Sequence, residues 1–170
     1  MRILIVYESL WGNTKKVAET VSQALESTAT VNFVDTDSAP NVVEGYDLVI
    51  VGGPTHAFSM SRKSTRDAAK QQDAAVHVPQ RGIREWLDDL TPVETPIPAA
   101  TFDTRVDSPR MPGSAAKAAR HELRSRGFDV DSKPVTFRVV GYQGPLVDGE
   151  LERAATWARN LLNGPAAPPL

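Results

Sequence analysis

Hydrophobic positions along the chain follow two spacings, and their order predicts the fold class. Residues 3–7 and 48–51 are continuously apolar and rich in β-branched side chains, as strands buried on both faces of a sheet are. Weaker strand patterns occupy residues 31–34, 97–103 and 135–140. Apolar residues recur at helical spacing within residues 13–28, 83–90, 114–126 and 149–163. This alternation predicts an α/β fold with a parallel sheet of five strands.

The polarity of the strands indicates where each lies in the sheet. The first and third are uniformly apolar and therefore central, whereas the second and fifth alternate with polar side chains, as edge strands do. This pattern fits the strand order 2-1-3-4-5, in which the first and third strands flank the point where the winding reverses. Gly52 and Gly53 are expected to end the third strand.

Two segments lack a clear pattern. Residues 59–80 are polar and weakly periodic, so we expect either a solvated helix or a lid-like loop there. Residues 165–170 are predicted to form a flexible tail after a single domain that spans residues 1–164.

Composition excludes several classes of function. The chain has 170 residues, a net charge of −2 and no cysteine. The small net charge gives no basic field for nucleic acid or anionic lipid, and the missing cysteines exclude disulfides and thiolate zinc sites. No apolar run approaches the ~20 residues that span a bilayer, and no signal-like segment precedes the first strand. We therefore expect a cytoplasmic protein that binds neither nucleic acid nor membranes.

The segment between the first strand and the first helix has the composition of a phosphate site. Its members are Ser9, Leu10, Trp11, Gly12, Asn13 and Thr14. A helix N-terminus leaves N–H groups unpaired and carries about half a positive charge, so it attracts phosphate. The chain has no G-x-x-x-x-G-K-[ST] run and no G-x-G-x-x-G run, which disfavours an ATP, GTP or dinucleotide loop. The alternative is a plain turn with a helix cap.

Two blocks of the sequence resemble flavodoxins. Residues 9–14 match the Ser/Thr-x-x-Gly-Asn-Thr loop of that family, and residues 47–56 are similar to its Asp-x-x-x-x-Gly-Ser/Thr-Pro-Thr block. The resemblance implies a flavodoxin-like three-layer α/β/α sandwich that binds flavin mononucleotide (FMN). It implies no catalytic side chain, because the flavin itself carries the electrons. The three histidines are scattered in the sequence, so we expect no metal site.

The resemblance also implies two loops beside the flavin ring. The first loop consists of Pro54, Thr55, His56, Ala57 and Phe58. The second begins with Asp103, Thr104 and Arg105. The roles of three of the predicted residues stay open. Phe58 stacks on the ring or packs under its own loop, and His56 contacts the flavin or is an ordinary surface residue. Trp11 shields the phosphate and ribityl chain or covers the domain surface.

The second ring-side loop differs from the family in aromatic content and in charge. Residues 104–113 contain no Tyr or Trp, where many flavodoxins have an aromatic residue, and they carry Arg105 and Arg110. A cation close to the anionic reduced flavin stabilises it, so we expect a less strongly reducing flavin than in an acidic flavodoxin. The alternative is that both arginines pair with nearby carboxylates or with solvent.

Three functions are compatible with these observations. We favour an FMN-binding electron carrier that serves a redox partner protein or a small-molecule electron acceptor. The second possibility is an FMN-dependent NAD(P)H quinone or flavin reductase, which would be an enzyme on the same fold. The third is a flavin-free binding or regulatory domain, for which the missing ring-side aromatic is the main support.

Overall fold

A parallel sheet separates two layers of helices in the computed structural model, which describes residues 1–73, 76–108 and 112–163. The strands are β1 (Arg2–Tyr7), β2 (Thr30–Asp35), β3 (Leu48–His56), β4 (Ser59–Met60), β5 (Ala99–Val106) and β6 (Val135–Val139). The helices are α1 (Asn13–Leu25), α2 (Lys63–Gln72), α3 (Ile83–Asp89), α4 (Ala115–Ser125) and α5 (Glu150–Asn163).

The order of the five long strands is β2-β1-β3-β5-β6, and every pair among them is parallel. This confirms the predicted order 2-1-3-4-5, with the two alternating strands at the edges. The short strand β4 is an addition that the sequence did not predict, because it pairs antiparallel with β3 over only two positions. The fold is a flavodoxin-like three-layer sandwich.

Successive side chains of β1 lie on opposite faces of the sheet, so they pack against different layers of helices. Ile3 and Ile5 pack in one core cluster with α1 and α5. Leu4 and Val6 pack in the other, with α3, α4 and residues 39 and 43 of the connection between β2 and β3. The connection that follows β1 therefore lies on one face, and the connections that follow β2 and β3 lie on the other.

The third strand is longer than the sequence predicted, and its glycines explain why. A Cβ at Gly52 would lie 2.0 Å from Cζ of Phe102 on the neighbouring strand. The glycine is therefore needed for close packing inside the strand and does not end it. The strand continues through Pro54 and Thr55 to His56, which brings these residues to the carboxyl edge of the sheet.

Residues 59–80 contain β4 and α2, so most of the segment expected to be a helix or a lid is regular structure. The buried residues of α2 are Arg66 and Ala69. Because a polar side chain anchors this helix, its sequence shows no apolar stripe. In the described part of the chain, no helix is both long and apolar enough to cross a membrane. Arg110 and the predicted tail lie outside the described residues.

Candidate functional site

Three segments that are distant in sequence meet in one cleft at the carboxyl edge of the sheet. The cleft, here called the first cleft, has a volume of about 50 Å³. Ten predicted residues line it, namely Ser9, Leu10, Trp11, Asn13, Thr14, Pro54, Thr55, His56, Thr104 and Arg105. The parallel register places Pro54 beside Thr104, which joins the two ring-side segments. The structure therefore assembles the residues that the sequence assigned to one site.

Within the predicted phosphate loop, Gly12 caps α1. Gly12 has a φ of 91°, in the left-handed region, and a Cβ there would find nothing within 4 Å. The glycine is thus required by backbone conformation and not by crowding. Its N–H donates to Ser9 Oγ at 3.1 Å, and its carbonyl accepts from Lys16 N at 3.0 Å. Asn13 and Thr14 follow in the first helical turn, where backbone N–H groups have no partner within the helix.

Two contacts hold the first turn of α1 against other loops. The hydroxyls of Thr14 and Thr104 are 2.7 Å apart in a buried hydrogen bond, which ties the phosphate loop to the end of β5. The side chain of Asn13 packs against Gly144, where a Cβ would lie 2.5 Å from Asn13 Oδ1. Residues 141–144 therefore close one side of the site.

The first ring-side loop is a tight hairpin between β3 and β4. Thr55 pairs with Met60 and His56 with Ser59, which leaves Ala57 and Phe58 as the two turn residues. Both have positive φ, at 45° and 73°. Turns of this geometry prefer Asn-Gly, and each non-glycine residue in the left-handed region costs about 1–2 kcal/mol. The ring-side loop is therefore strained.

Four predicted residues do not line the first cleft. Gly12 faces the opposite side of the phosphate loop. Ala57 and Phe58 form the hairpin tip, and Phe58 is 53% exposed with its carbonyl against Gly113. Asp103 is fully buried and accepts hydrogen bonds from Ser114 Oγ, from Ala116 N at 3.0 Å and from Thr55 Oγ1 at 3.1 Å. Its carboxylate thus holds the start of α4 and the ring-side loop.

His56 and Trp11 form an aromatic corner of the first cleft. Their ring centroids are 6.4 Å apart, and His56 Nδ1 lies 3.3 Å from Thr65 Oγ1. Burial, followed by the charge of Arg66, lowers the pKa of His56 to about 4, so the imidazole is neutral at pH 7. The indole Nε1 of Trp11 is buried and has no hydrogen-bond partner in the described part of the chain. It is a buried N–H donor in a residue that lines the cleft.

Three further residues line the cleft and were not predicted from the sequence. They are Val106, Val139 and Tyr142. Tyr142 follows β6 and is 74% exposed. A signal was present, because the loop after the last parallel strand must also reach the carboxyl edge of the sheet.

A buried ionic cluster stands behind the cleft. Arg66 donates to Ser61 Oγ at 2.8 Å and to both carboxylate oxygens of Glu85, at 2.8 and 3.2 Å. Glu8, which directly precedes the phosphate loop, accepts from Ser61 Oγ and from Ile83 N at 2.9 Å. Burial raises the pKa of Glu8, although these hydrogen bonds and Arg66 oppose that shift. The cluster joins β1, α2 and α3 and was not predicted from the sequence.

The charge of the first cleft suits an anionic ligand. No carboxylate is found among the described residues that line it, whereas Arg105, several hydroxyls and the start of α1 are. Donors without competing carboxylates fit a phosphate group. No group of three or more His, Asp or Glu side chains within the described ranges is placed to hold a metal ion.

Comparisons with known proteins agree with this geometry. Residues 4–74 match the model of a family described as Flavodoxin domain. Oxidised flavodoxin 1 from Bacillus cereus is 17% identical with a TM-score of 0.71, over 96% of this chain and 98% of that one. The two-electron reduced flavodoxin of Megasphaera elsdenii is 16% identical with a TM-score of 0.60, over 92% and 97%. The flavodiiron protein from Giardia intestinalis is 18% identical with a TM-score of 0.60, over 92% of this chain and 34% of that one.

The fold and the cleft at its carboxyl edge define a flavodoxin-like α/β protein. Within that class, residues 4–74 carry the sequence pattern of a flavodoxin domain, which includes the phosphate loop and the first ring-side loop. The flavodoxin-like fold class that the sequence predicted is confirmed, and the predicted family resemblance is supported over residues 4–74.

Proposed function

We propose that this protein binds FMN in the first cleft and acts as a flavodoxin-like electron carrier. The observation that carries the proposal is the meeting of residues 9–14, 54–56 and 104–105 in one cleft without a carboxylate. Two of the similar structures are an oxidised and a two-electron reduced flavodoxin, which supports a redox role for the fold.

Different residues of the chain contact the phosphate and the remainder of the cofactor. The first turn of α1 and the hydroxyls of Ser9 and Thr14 hold the phosphate. The backbone of residues 54–56 and the indole N–H of Trp11 meet the remainder. Because the first cleft encloses only about 50 Å³, the flavin ring would need the residues at its rim, among them the strained hairpin, to hold it. Bound FMN supplies the transfer of one or two electrons.

Arg105 and His56 set the electrostatics of the ring side. Arg105 lines the first cleft and donates to the carbonyl of Gly113, which fixes its guanidinium at the second ring-side loop. His56 is neutral and adds no opposing charge. A nearby cation favours an anionic reduced flavin, so the potential is higher than in an acidic flavodoxin. Redox titration of the FMN complex tests this prediction. Arg105→Gln should lower the reduction potential of the couple that forms the fully reduced flavin.

The decisive experiment compares FMN with riboflavin, which lacks the phosphate. Each is added to purified flavin-free protein while the visible spectrum and the flavin fluorescence are followed. We expect FMN to bind at least 100-fold more tightly, because the phosphate contacts are absent from riboflavin. Equal affinity for FMN and riboflavin would show that the phosphate loop does not contribute to flavin binding. A protein that stays colourless with excess FMN would favour the flavin-free binding domain.

A reductase is separated from a carrier by its response to NADPH. Residues 63–72 are anchored by the buried Arg66 and none of them lines the first cleft, so we expect no swinging lid over the ring. We expect stopped-flow mixing of the FMN complex with NADPH to show only slow reduction. Rapid reduction followed by transfer to a quinone would instead support the enzyme.

A further inference from the structure

The winding of the sheet opens a second cleft on the other side of the phosphate loop. The connection after β1 lies on the face of α1, whereas the connections after β2 and β3 lie on the opposite face. Neighbouring strand ends whose connections diverge leave a crevice, and ligands of open α/β sheets bind in such crevices. The crevice between β1 and β3 is the first cleft. The one between β1 and β2, here called the second cleft, has a volume of about 280 Å³.

An unpartnered hydroxyl marks the second cleft as a polar binding site. Thr36 lines it and is fully buried, yet its Oγ1 has no hydrogen-bond partner among the described residues. A buried hydroxyl without a partner is unfavourable, so its presence beside a cleft of this size points to a ligand that satisfies it. This observation does not depend on FMN binding in the first cleft.

The neighbours of Thr36 supply a defined set of polar groups. Asp35, the last residue of β2, uses Oδ1 to accept from Ser38 N at 2.8 Å. Its other carboxylate oxygen accepts no hydrogen bond from the described residues. Burial, followed by the charges of Asp35 and Glu19, raises the pKa of Tyr7, so its phenol remains a hydroxyl donor. Both Asp35 and Tyr7 line the second cleft.

The cleft also offers a cation beside the start of α1. Lys15 and Gly12 line it, and the ion pair of Lys15 with Glu19 is exposed and long, at 3.8 Å. The ammonium group is therefore free to meet a ligand at little cost. The second carboxylate at this cleft, Glu8, is already held by Ser61 and the N–H of Ile83.

We propose that the second cleft binds the ribose–phosphate part of a ribonucleotide. Asp35 accepts hydrogen bonds from the ribose hydroxyls, and the hydroxyls of Thr36 and Tyr7 complete the sugar contacts. Lys15 meets the phosphate. An acidic residue at a strand end beside a phosphate-binding helix is the arrangement by which other α/β folds hold a ribose. A volume of about 280 Å³ is that of roughly nine waters, enough for the sugar and its phosphate.

Amide NMR of the full chain tests where a nucleotide binds. The probes are 5′-AMP, ribose 5-phosphate and NADPH, each titrated with and without FMN. We expect shifts at Tyr7, Lys15 and Thr36 and none at Thr55 or Thr104. The chain has no G-x-G-x-x-G run to hold a pyrophosphate, so NADPH should bind no more tightly than 5′-AMP. NADPH binding at least tenfold tighter would assign the site to a dinucleotide and overturn the mononucleotide proposal.

Two variants test the assigned contacts. Asp35→Asn keeps an oxygen acceptor for Ser38 N–H, and Thr36→Val removes a hydroxyl that has no protein partner. We expect at least tenfold weaker 5′-AMP binding for the first and at least fivefold for the second, with FMN affinity changed less than twofold. Asp131→Asn, an exposed carboxylate elsewhere, is the control for charge. The proposal fails if no probe shifts these amides at millimolar concentration, if the shifts map to the first cleft, or if both variants bind normally.

Discussion

The two clefts flank the same loop and share Ser9 and Leu10, yet their chemistry differs. The first is small and has no carboxylate among its described lining residues, whereas the second is larger and contains Asp35 and Glu8. The difference comes from the neighbouring strand ends. Strand β3 ends in Pro-Thr-His, whereas β2 ends in Asp followed by Thr. A single phosphate loop can therefore have sides of different ligand preference, set by the strands next to it.

The cluster of Glu8, Ser61, Arg66 and Glu85 lies next to both clefts, because Glu8 lines the second cleft and the charge of Arg66 acts on His56 of the first. Arg66→Met should lower the free energy of unfolding by about 3–5 kcal/mol, because it leaves the buried Glu8 without its cation. It should also weaken ligand binding in both clefts. Urea unfolding measures the loss of stability. Titration with FMN measures the weaker binding in the first cleft.

The control for this variant is Arg159→Met, which changes an exposed arginine on α5 and should shift stability by less than about 0.5 kcal/mol. A loss below about 1 kcal/mol for Arg66→Met would show that the cluster contributes little to the stability of the fold.

Acid should destabilise the first cleft through His56. Its folded pKa of about 4 lies below the usual 6.5, so the unfolded state binds more protons between these values. Stability is then fully present above pH 6.5 and is lost as pH falls toward 4, by about 2–3 kcal/mol. His56→Gln should remove this part of the pH dependence, as measured by thermal unfolding from pH 7 to pH 4. His121→Gln, at an exposed position on α4, should retain the wild-type profile.

The shared loop can be perturbed at Gly12 without filling space. Gly12→Ala should cost about 1–2 kcal/mol, because alanine is strained at a φ of 91° even though its Cβ meets nothing. FMN binding should weaken as the loop relaxes away from this conformation. Gly141→Ala is the matched control, since its Cβ also meets nothing and its φ is not positive. Equal stability of the two variants would mean that the left-handed conformation of Gly12 is not required.

The variant with the smallest expected effect is the one that should change ligand binding in the first cleft alone. Thr104→Val removes the partner of Thr14 and should cost about 1 kcal/mol, with FMN affinity reduced several-fold. Nucleotide binding in the second cleft should not change. Thr156→Val, on the exposed side of α5, serves as the control. Loss of nucleotide binding in Thr104→Val would show that the two clefts are not separate sites.

The sequence predicted the features that depend on local pattern. Continuous and alternating apolar runs predicted the five long strands, and residues 9–14 connect β1 to the first turn of α1 as the pattern indicated. That this loop binds phosphate stays a prediction. What it did not predict depends on pairing across the fold. Strand β3 continues through Gly52 because Phe102 packs on that glycine, and α2 is anchored by Arg66, a residue that a polarity pattern assigns to the surface. Tyr142 likewise reaches the cleft because the loop that follows β6 lies at the carboxyl edge of the sheet.

The sharing of Ser9 and Leu10 has a thermodynamic consequence. If ligands bind on both sides of the loop as proposed, each contacts the same backbone, so occupancy of one side should change the affinity of the other. This linkage is reciprocal: the factor by which FMN alters nucleotide affinity equals the factor by which the nucleotide alters FMN affinity. One turn would thus connect the binding of the two proposed ligands.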